Sequence, residues 1–204
     1  MSAPVVTVVL ATRNAHKVVE LRRILAEAGL GIDLVDTSAF PDLPEVPETG
    51  STFAANALLK ARAVAAHTHL PAIADDSGLS VDALNGMPGI FSARWCGRHG
   101  DDAANLQLLL GQLADVPSGR RSAAFHCAAA IAMPDGEERV VEAMLEGAVI
   151  DAPRGTNGFG YDPIFVPLGA QVTTAEMSPD EKDAISHRGM AFRALVPVIA
   201  DLIA

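Results

Sequence analysis

From Val5 to Leu10 the chain is an unbroken β-branched run closed by leucine, and only a short polar turn, Thr12-Arg13-Asn14, separates it from a helical repeat. A strand with apolar side chains on both faces has to be covered on both faces. Val18, Leu21, Ile24 and Leu25 then recur at helical spacing, and Gly29 stops that pattern. Strand, polar turn and helix in this order open an α/β layer.

The remaining segments continue the theme and then change it. Ile32 to Val35 reads as a second strand, and Phe40 to Pro47 as a Pro-rich acidic loop. Thr49-Gly50-Ser51-Thr52 supplies cap chemistry for an Ala-rich helix from Phe53 to about Ala66. Ala72-Ile73-Ala74 is a brief strand that runs into Asp75-Asp76-Ser77-Gly78, and Leu79 to Leu84 stays extended up to the turn cluster at Asn85-Gly86. Asp101-Asp102 caps a helix bearing Leu106, Leu109, Leu110 and Leu113. Beyond it, Ser122 to Met133 and Val140 to Ile150 flank Pro134-Asp135-Gly136 as a hairpin. A Gly-rich loop, Gly155 to Gly160, leads to the strand-like Pro163-Ile164-Phe165-Val166. Ser178-Pro179-Asp180-Glu181 is a capping box, Ser186-His187-Arg188-Gly189 interrupts, and Ala191 to Ile203 closes the chain as an amphipathic helix. The pattern predicts an α/β fold with a mixed sheet, a single domain over residues 1–204 in one or two lobes.

Charge narrows the function. Fifteen basic against 25 acidic residues leave −10, with half of the chain hydrophobic. Such a surface argues against a nucleic-acid or anionic-membrane binder, both of which need a basic footprint. An anionic ligand would need basic groups gathered in a pocket, or a divalent metal. No uninterrupted apolar stretch nears the ~20 residues of a membrane span, and Met1 to Leu10 has no leader pattern. The expected setting is the cytoplasm. Cys96 and Cys127 are the only cysteines and are expected as free thiols, so a metal here would be oxygen-bound.

Four groups of residues carry candidate chemistry. Thr12, Arg13, Asn14, Ala15, His16 and Lys17 lie where backbone N–H groups at a helix start attract anions, although an ordinary strand–helix turn with an Asn cap has the same composition. The P-loop spacing of glycines and lysine is absent. Asp75 and Asp76 just past a strand end suit Mg²⁺, which takes oxygen ligands and keeps waters. A solvated turn would use the same residue types. Alternation along a strand sends the two carboxylates to opposite faces, and Glu48 is a further oxygen donor for the same ion. Lysine stands only at Lys17, Lys60 and Lys182, every other basic side chain being arginine. Finally, Phe159 in Phe159-Gly160-Tyr161-Asp162 is a loop aromatic able to stack on a base, and Lys182, His187 and Arg188 are donors for base oxygens. Phe159 and Tyr161 are equally at home in a core at a strand start.

Taken in order, these blocks resemble the inosine triphosphate pyrophosphatase family, the XTP/dITP pyrophosphatases that clear deaminated purine nucleotides. Thr12 to Lys17 resembles its Thr-x-Asn-x-x-Lys loop. Glu48-Thr49-Gly50, Thr52-Phe53, Asn56-Ala57 and Lys60-Ala61 match a second block. Ala74 to Leu79, Pro88-Gly89 and Ser92-Ala93-Arg94 match a third. Gly158 to Pro163, Lys182 and Ser186-His187-Arg188 complete the set. The resemblance implies an elongated mixed β-sheet with flanking helices, two lobes around a central nucleotide cleft, and a homodimer. It implies that Asp76 is the catalytic carboxylate and, with Glu48, holds Mg²⁺. Thr12 to Lys17 and Lys60 would meet the phosphates, and Ser77, Phe159 to Asp162, Lys182, His187 and Arg188 the nucleotide. Ala55 and Arg13 depart from the pattern, where relatives carry Glu and Gly or Ser. The expected reaction is Mg²⁺-dependent hydrolysis of ITP, dITP or XTP to monophosphate and pyrophosphate. A pyrophosphatase for other modified or pyrimidine nucleotides and a non-catalytic nucleotide sensor remain as alternatives.

Overall fold

The computed structural model describes residues 6–203, apart from the side chains of Ala15 and His16; those two side chains and Val5 lie outside the described residues. Six strands form one mixed sheet in the order β2-β1-β3-β4-β5-β6. They are β1 (Val6–Leu10), β2 (Ile32–Asp36), β3 (Ala72–Val81), β4 (Ser122–Ala132), β5 (Glu138–Val149) and β6 (Phe165–Pro167). The helices are α1 (Ala15–Glu27), α2 (Phe53–Thr68), α3 (Asp102–Gln112), α4 (Pro179–Ile185) and α5 (His187–Ile203). β1 pairs in parallel with β2 and with β3, Val9 lying opposite Ala72 in the latter pair, and β6 is antiparallel to β5. Residues 133–137 join β4 to β5 through a tight turn in which Met133 N–H donates to the Glu137 carbonyl at 2.7 Å. So short a link permits only an antiparallel return.

The chain divides into two compact units, one formed by the chain up to Asp76, Cys127–Ala143 and Arg188 onward, the other by Ser77–His126 and Met144–His187. In the first, strand alternation sorts side chains onto two faces. Val8, Leu10, Ile73, Ala129 and Ile131 pack against α1 and α5 through Leu21, Ile24, Phe192 and Leu195. Val9, Ala72, Ala74, Ala128 and Ala130 pack against Ala57, Ala61, Val64 and Ala65 of α2. Alanine on both surfaces leaves no large side chain to hold α2 away from the strands. Thr52 caps α2 as expected, its hydroxyl accepting from Ala55 N–H.

In the second unit Leu106, Leu109 and Leu113 pack on Leu79, Phe125, Ile164 and Phe165. Full burial of each such side chain is worth about 1.5–3 kcal/mol. The buried Arg121 closes the far end of α3, donating to the carbonyls of Leu113 and Val116 at 2.8 Å.

Three local expectations change. Asp75-Asp76-Ser77-Gly78 is the middle of β3 and not a turn, because pairing with cations and neighbouring strands overrides the turn preference of these residues. Pro163 and Ile164 belong to a short 3-10 turn, Asp162–Ile164, that precedes β6. His187, Arg188 and Gly189 form the first turn of α5, and the interruption is Ser186 alone, extended at φ −63° and ψ 140°. The capping box at Ser178 and Glu181 is present.

Candidate active site

Two ion clusters stand on opposite faces of β3 in the first unit. Asp75 has the parity of Ile73 and so points toward α1 and α5. There Lys17 of α1 donates to both Asp75 carboxylate oxygens at 2.8 Å, and Nε of Arg188, in the first turn of α5, donates to Oδ2 at 3.2 Å. Burial pushes the Asp75 carboxyl up, but the Lys17 and Arg188 charges outweigh it and hold it well below the usual carboxylate range. Asp75 thus holds two cations, and Glu20 adds a second carboxylate near Arg188.

Asp76 has the parity of Ala74 and points toward α2. Asn56 and Lys60, one helical turn apart, meet it: the Asn56 amide donates to Oδ2 and Lys60 Nζ to Oδ1, both at 3.1 Å. Lys60 also donates to Glu48 Oε1 at 2.9 Å. Burial raises the Asp76 pKa, with the Lys60 charge opposing and the Glu48 charge adding to the rise. Burial lowers that of Lys60, yet the two carboxylates bring it out above its ordinary value. Two carboxylates thus share one ammonium. The Glu48 loop is held by Asn56, whose side-chain oxygen accepts from Gly50 N–H at 2.8 Å. A Cβ at Gly50 would stand 2.7 Å from that oxygen and 2.8 Å from Ala55 Cβ, so only glycine fits.

The donor set fits a hard divalent ion. Glu48 and Asp76 bring carboxylate oxygens together at the Lys60 ammonium, and the partners named above for these two carboxylates include no thiol or imidazole. Among the described residues no group of three or more His, Cys, Asp or Glu side chains is arranged as a closed metal cage. Mg²⁺ is commonly held in this open fashion, by one or two carboxylates, waters and substrate phosphates.

The turn before α1 is braced at Thr12. Its hydroxyl accepts from Asn14 N–H at 3.1 Å, and its carbonyl accepts from the Thr37 hydroxyl at 2.8 Å. Arg13 and Asn14 are exposed, and Arg13 lines a cavity of about 490 Å³ together with Asp36, Thr37 and Phe40.

The second unit gathers the aromatic loop. Phe159 is 56% exposed, and Lys182 Nζ lies 5.1 Å from its ring centroid. Asp162 is buried, and its Oδ2 accepts from both Phe159 N–H and Lys182 Nζ. Gly160 N–H donates to Asp102 Oδ2 at 3.0 Å. The Tyr161 side chain is a packing group: its hydroxyl donates to the Ser92 carbonyl at 2.9 Å, and burial pushes its pKa up. The His187 ring stacks on Phe125 with centroids 4.9 Å apart. Ser77 is half-buried in β3. Sequence reasoning did not foresee Asn56 as the group linking Glu48's loop to Asp76, nor Asp75 as the anchor of two cations. A signal for the first existed, an amide one turn before a lysine on an alanine-faced helix.

A model of the Ham1 family matches residues 8–198. The chain belongs to the Ham1 family. It is 65% identical over 195 residues to the dITP/XTP pyrophosphatase of Streptomyces coelicolor, covering 96% of this chain and 98% of that one. It is similar to the crystal structure titled nucleoside-triphosphatase / dITP/XTP pyrophosphatase from Mycobacterium abscessus, at 56% identity and a TM-score of 0.81, over 95% and 99% of the two chains. It is also similar to the structure of a HAM1 protein from Coxiella burnetii, at 42% identity and a TM-score of 0.89, over 96% and 99%. These matches establish the mixed α/β Ham1 fold.

Proposed function

We propose that this chain is a Mg²⁺-dependent nucleoside-triphosphate pyrophosphatase that hydrolyses dITP, XTP and ITP to monophosphate and pyrophosphate. The relatives named above support the activity. The observation that carries the reading is the pair of clusters on β3, two cations held by Asp75 on one face and two carboxylates, Asp76 and Glu48, sharing Lys60 on the other. A triphosphate with its metal needs such a pair.

Lys17 supplies a cationic donor for phosphate oxygens, and Arg188, a base donor by the family resemblance, is placed beside it in this reading because both donate to Asp75. Thr12, Arg13 and Asn14, with the backbone N–H groups opening α1, extend that anion site. Glu48 and Asp76 would hold Mg²⁺, which when bound neutralises phosphate charge and polarises a phosphoryl oxygen. Asp76, its proton affinity raised by burial, accepts the proton of the attacking water. Lys60 balances Glu48 and Asp76. Asn56 keeps Asp76 and the Glu48 loop in register. The exposed Phe159 ring stacks on the base, and Lys182 with His187 donates to its oxygens. The enzyme works as one domain and as a homodimer, in the cytoplasmic nucleotide pool, as the family resemblance implies.

Product analysis tests this. With dITP and Mg²⁺ the products should be dIMP and pyrophosphate, and EDTA should abolish both. Tight dITP binding without turnover would favour a sensor. Release of phosphate and dIDP would contradict the assigned cleavage.

A further inference from the structure

Asp162 carries more hydrogen bonds than a residue free to meet a ligand. Its Oδ2 takes Phe159 N–H at 2.8 Å and the Lys182 ammonium, and its Oδ1 takes the Thr174 hydroxyl at 2.8 Å. Asp162 is 3% exposed and Thr174 1%. Around them the space is full, since a Cβ at Gly158, where φ is +75°, would lie 2.2 Å from Asp162 Oδ2 and 3.0 Å from Lys182 Nζ.

Thr174 is itself fixed. Its N–H donates to the Phe165 carbonyl at 3.0 Å, tying it to β6. The next residue, Ala175, accepts at its carbonyl from Thr156 N–H at 3.1 Å and from Asn157 N–H at 3.0 Å. The Thr173 hydroxyl donates to the Arg154 carbonyl at 2.9 Å. Residues 173–175 are thus laced to the same loop that ends in Phe159.

We infer that Thr174 is a positioning residue for base recognition: through Asp162 it sets where the Lys182 ammonium and the Phe159 ring stand. This rests on the proposed role of Lys182 and Phe159 at the base. Asp162 itself does not touch the nucleotide, because its oxygens are occupied inside the fold. A carboxylate can rotate about its last bond, and the Thr174 hydroxyl on Oδ1 is what stops Oδ2 from leaving Phe159 N–H and Lys182. Ion clusters elsewhere in the chain are untouched by a change at Thr174, so binding of the base should suffer while the hydrolytic step continues.

The test is steady-state kinetics on dITP for Thr174→Val, Thr174→Ala and Thr174→Ser, each also placed in a Lys182→Ala background. Thr174→Val should raise KM for dITP about tenfold, the effect of one hydrogen bond to a charged group. Its kcat should stay within about twofold, which that bond does not serve. Thr174→Ser should restore the wild-type KM. In the Lys182→Ala background Thr174→Val should raise KM far less than tenfold, since the group it positions is gone. Thr174→Ala, which likewise removes the hydroxyl donor, gives the same reading should the valine variant not fold. An unchanged KM in folded Thr174→Val or Thr174→Ala would overturn the inference. So would an equal KM factor with and without Lys182, which would make the effect merely structural. If Lys182→Ala and Phe159→Ala both leave KM for dITP unchanged, the base-reading role itself is overturned. If they raise it and the Thr174 variants do not, only the positioning role is lost.

Discussion

Asp75 and Asp76 are neighbours in sequence, yet alternation along β3 gives them different partners and different consequences when changed. Asp75→Asn would leave Lys17 and Arg188 close together in a largely buried site without the carboxylate that both donate to. The loss of one member of such a cluster costs about 3–5 kcal/mol, and thermal unfolding should show a marked drop in Tm. Because the Asp75 pKa lies below its unfolded value, its stabilisation is fully present above about pH 4 and is lost as pH falls through the lower folded value. Asp76→Asn keeps the shape but turns one accepting oxygen into an amide donor, so either Asn56 or Lys60 loses its acceptor. With Glu48 still balancing Lys60, Tm should fall only modestly. Its kcat for dITP should nonetheless fall at least ~100-fold, the scale of one lost general-base contribution. A folded Asp76→Asn protein with near-normal turnover would remove Asp76 from the mechanism.

At the level of elements, α2 is the frame of the metal-side cluster. It presents alanines to the sheet and, on the adjoining strip, Asn56 and Lys60 to Asp76. Gly50→Ala should push the Glu48 loop off Asn56, since the new methyl would meet its side-chain oxygen at 2.7 Å. We expect a higher Mg²⁺ concentration for half-maximal activity, read from a metal titration, with little change in KM for dITP at saturating metal. Much of this frame is legible in sequence, because caps and periodicity are local: Thr52 opens α2, Asp101 caps α3 and Ser178–Glu181 forms its box. The strand through Asp75-Asp76-Ser77-Gly78 is not legible, because its turn-forming residues are held extended by partners as distant as Lys17 and Arg188. Tyr161 illustrates the same limit: its sequence context leaves base contact and core packing equally open, and the Ser92 carbonyl at its hydroxyl shows the packing.

For the whole molecule, the acidic balance of −10 sets the terms of substrate binding. A triphosphate approaches such a protein against its field unless cations are concentrated where it lands. In the proposed reading Lys17 with Arg188, and a metal held by Glu48 and Asp76, would meet that need. Chelation by EDTA should therefore abolish turnover, and added Mg²⁺ should restore it. A Cys96→Ser, Cys127→Ser protein should keep its activity, since neither cysteine is in a disulfide and neither has a role in the proposed reaction, although Cys127 lies close enough to Arg188 to act on its charge. Light scattering should return twice the 21.2 kDa chain mass if the homodimer forms. The most direct test of the central claim is pyrophosphate release under Mg²⁺, scored as kcat/KM for dITP, XTP and dATP. If Lys182 and His187 donate to the base, as proposed, adenine's amino group is left unmatched, and a site built on such pairing discriminates strongly. The account predicts dITP and XTP turned over with at least ~100-fold higher kcat/KM than dATP. Equal kcat/KM for dITP and dATP, or no pyrophosphate from dITP with Mg²⁺ present, would contradict it.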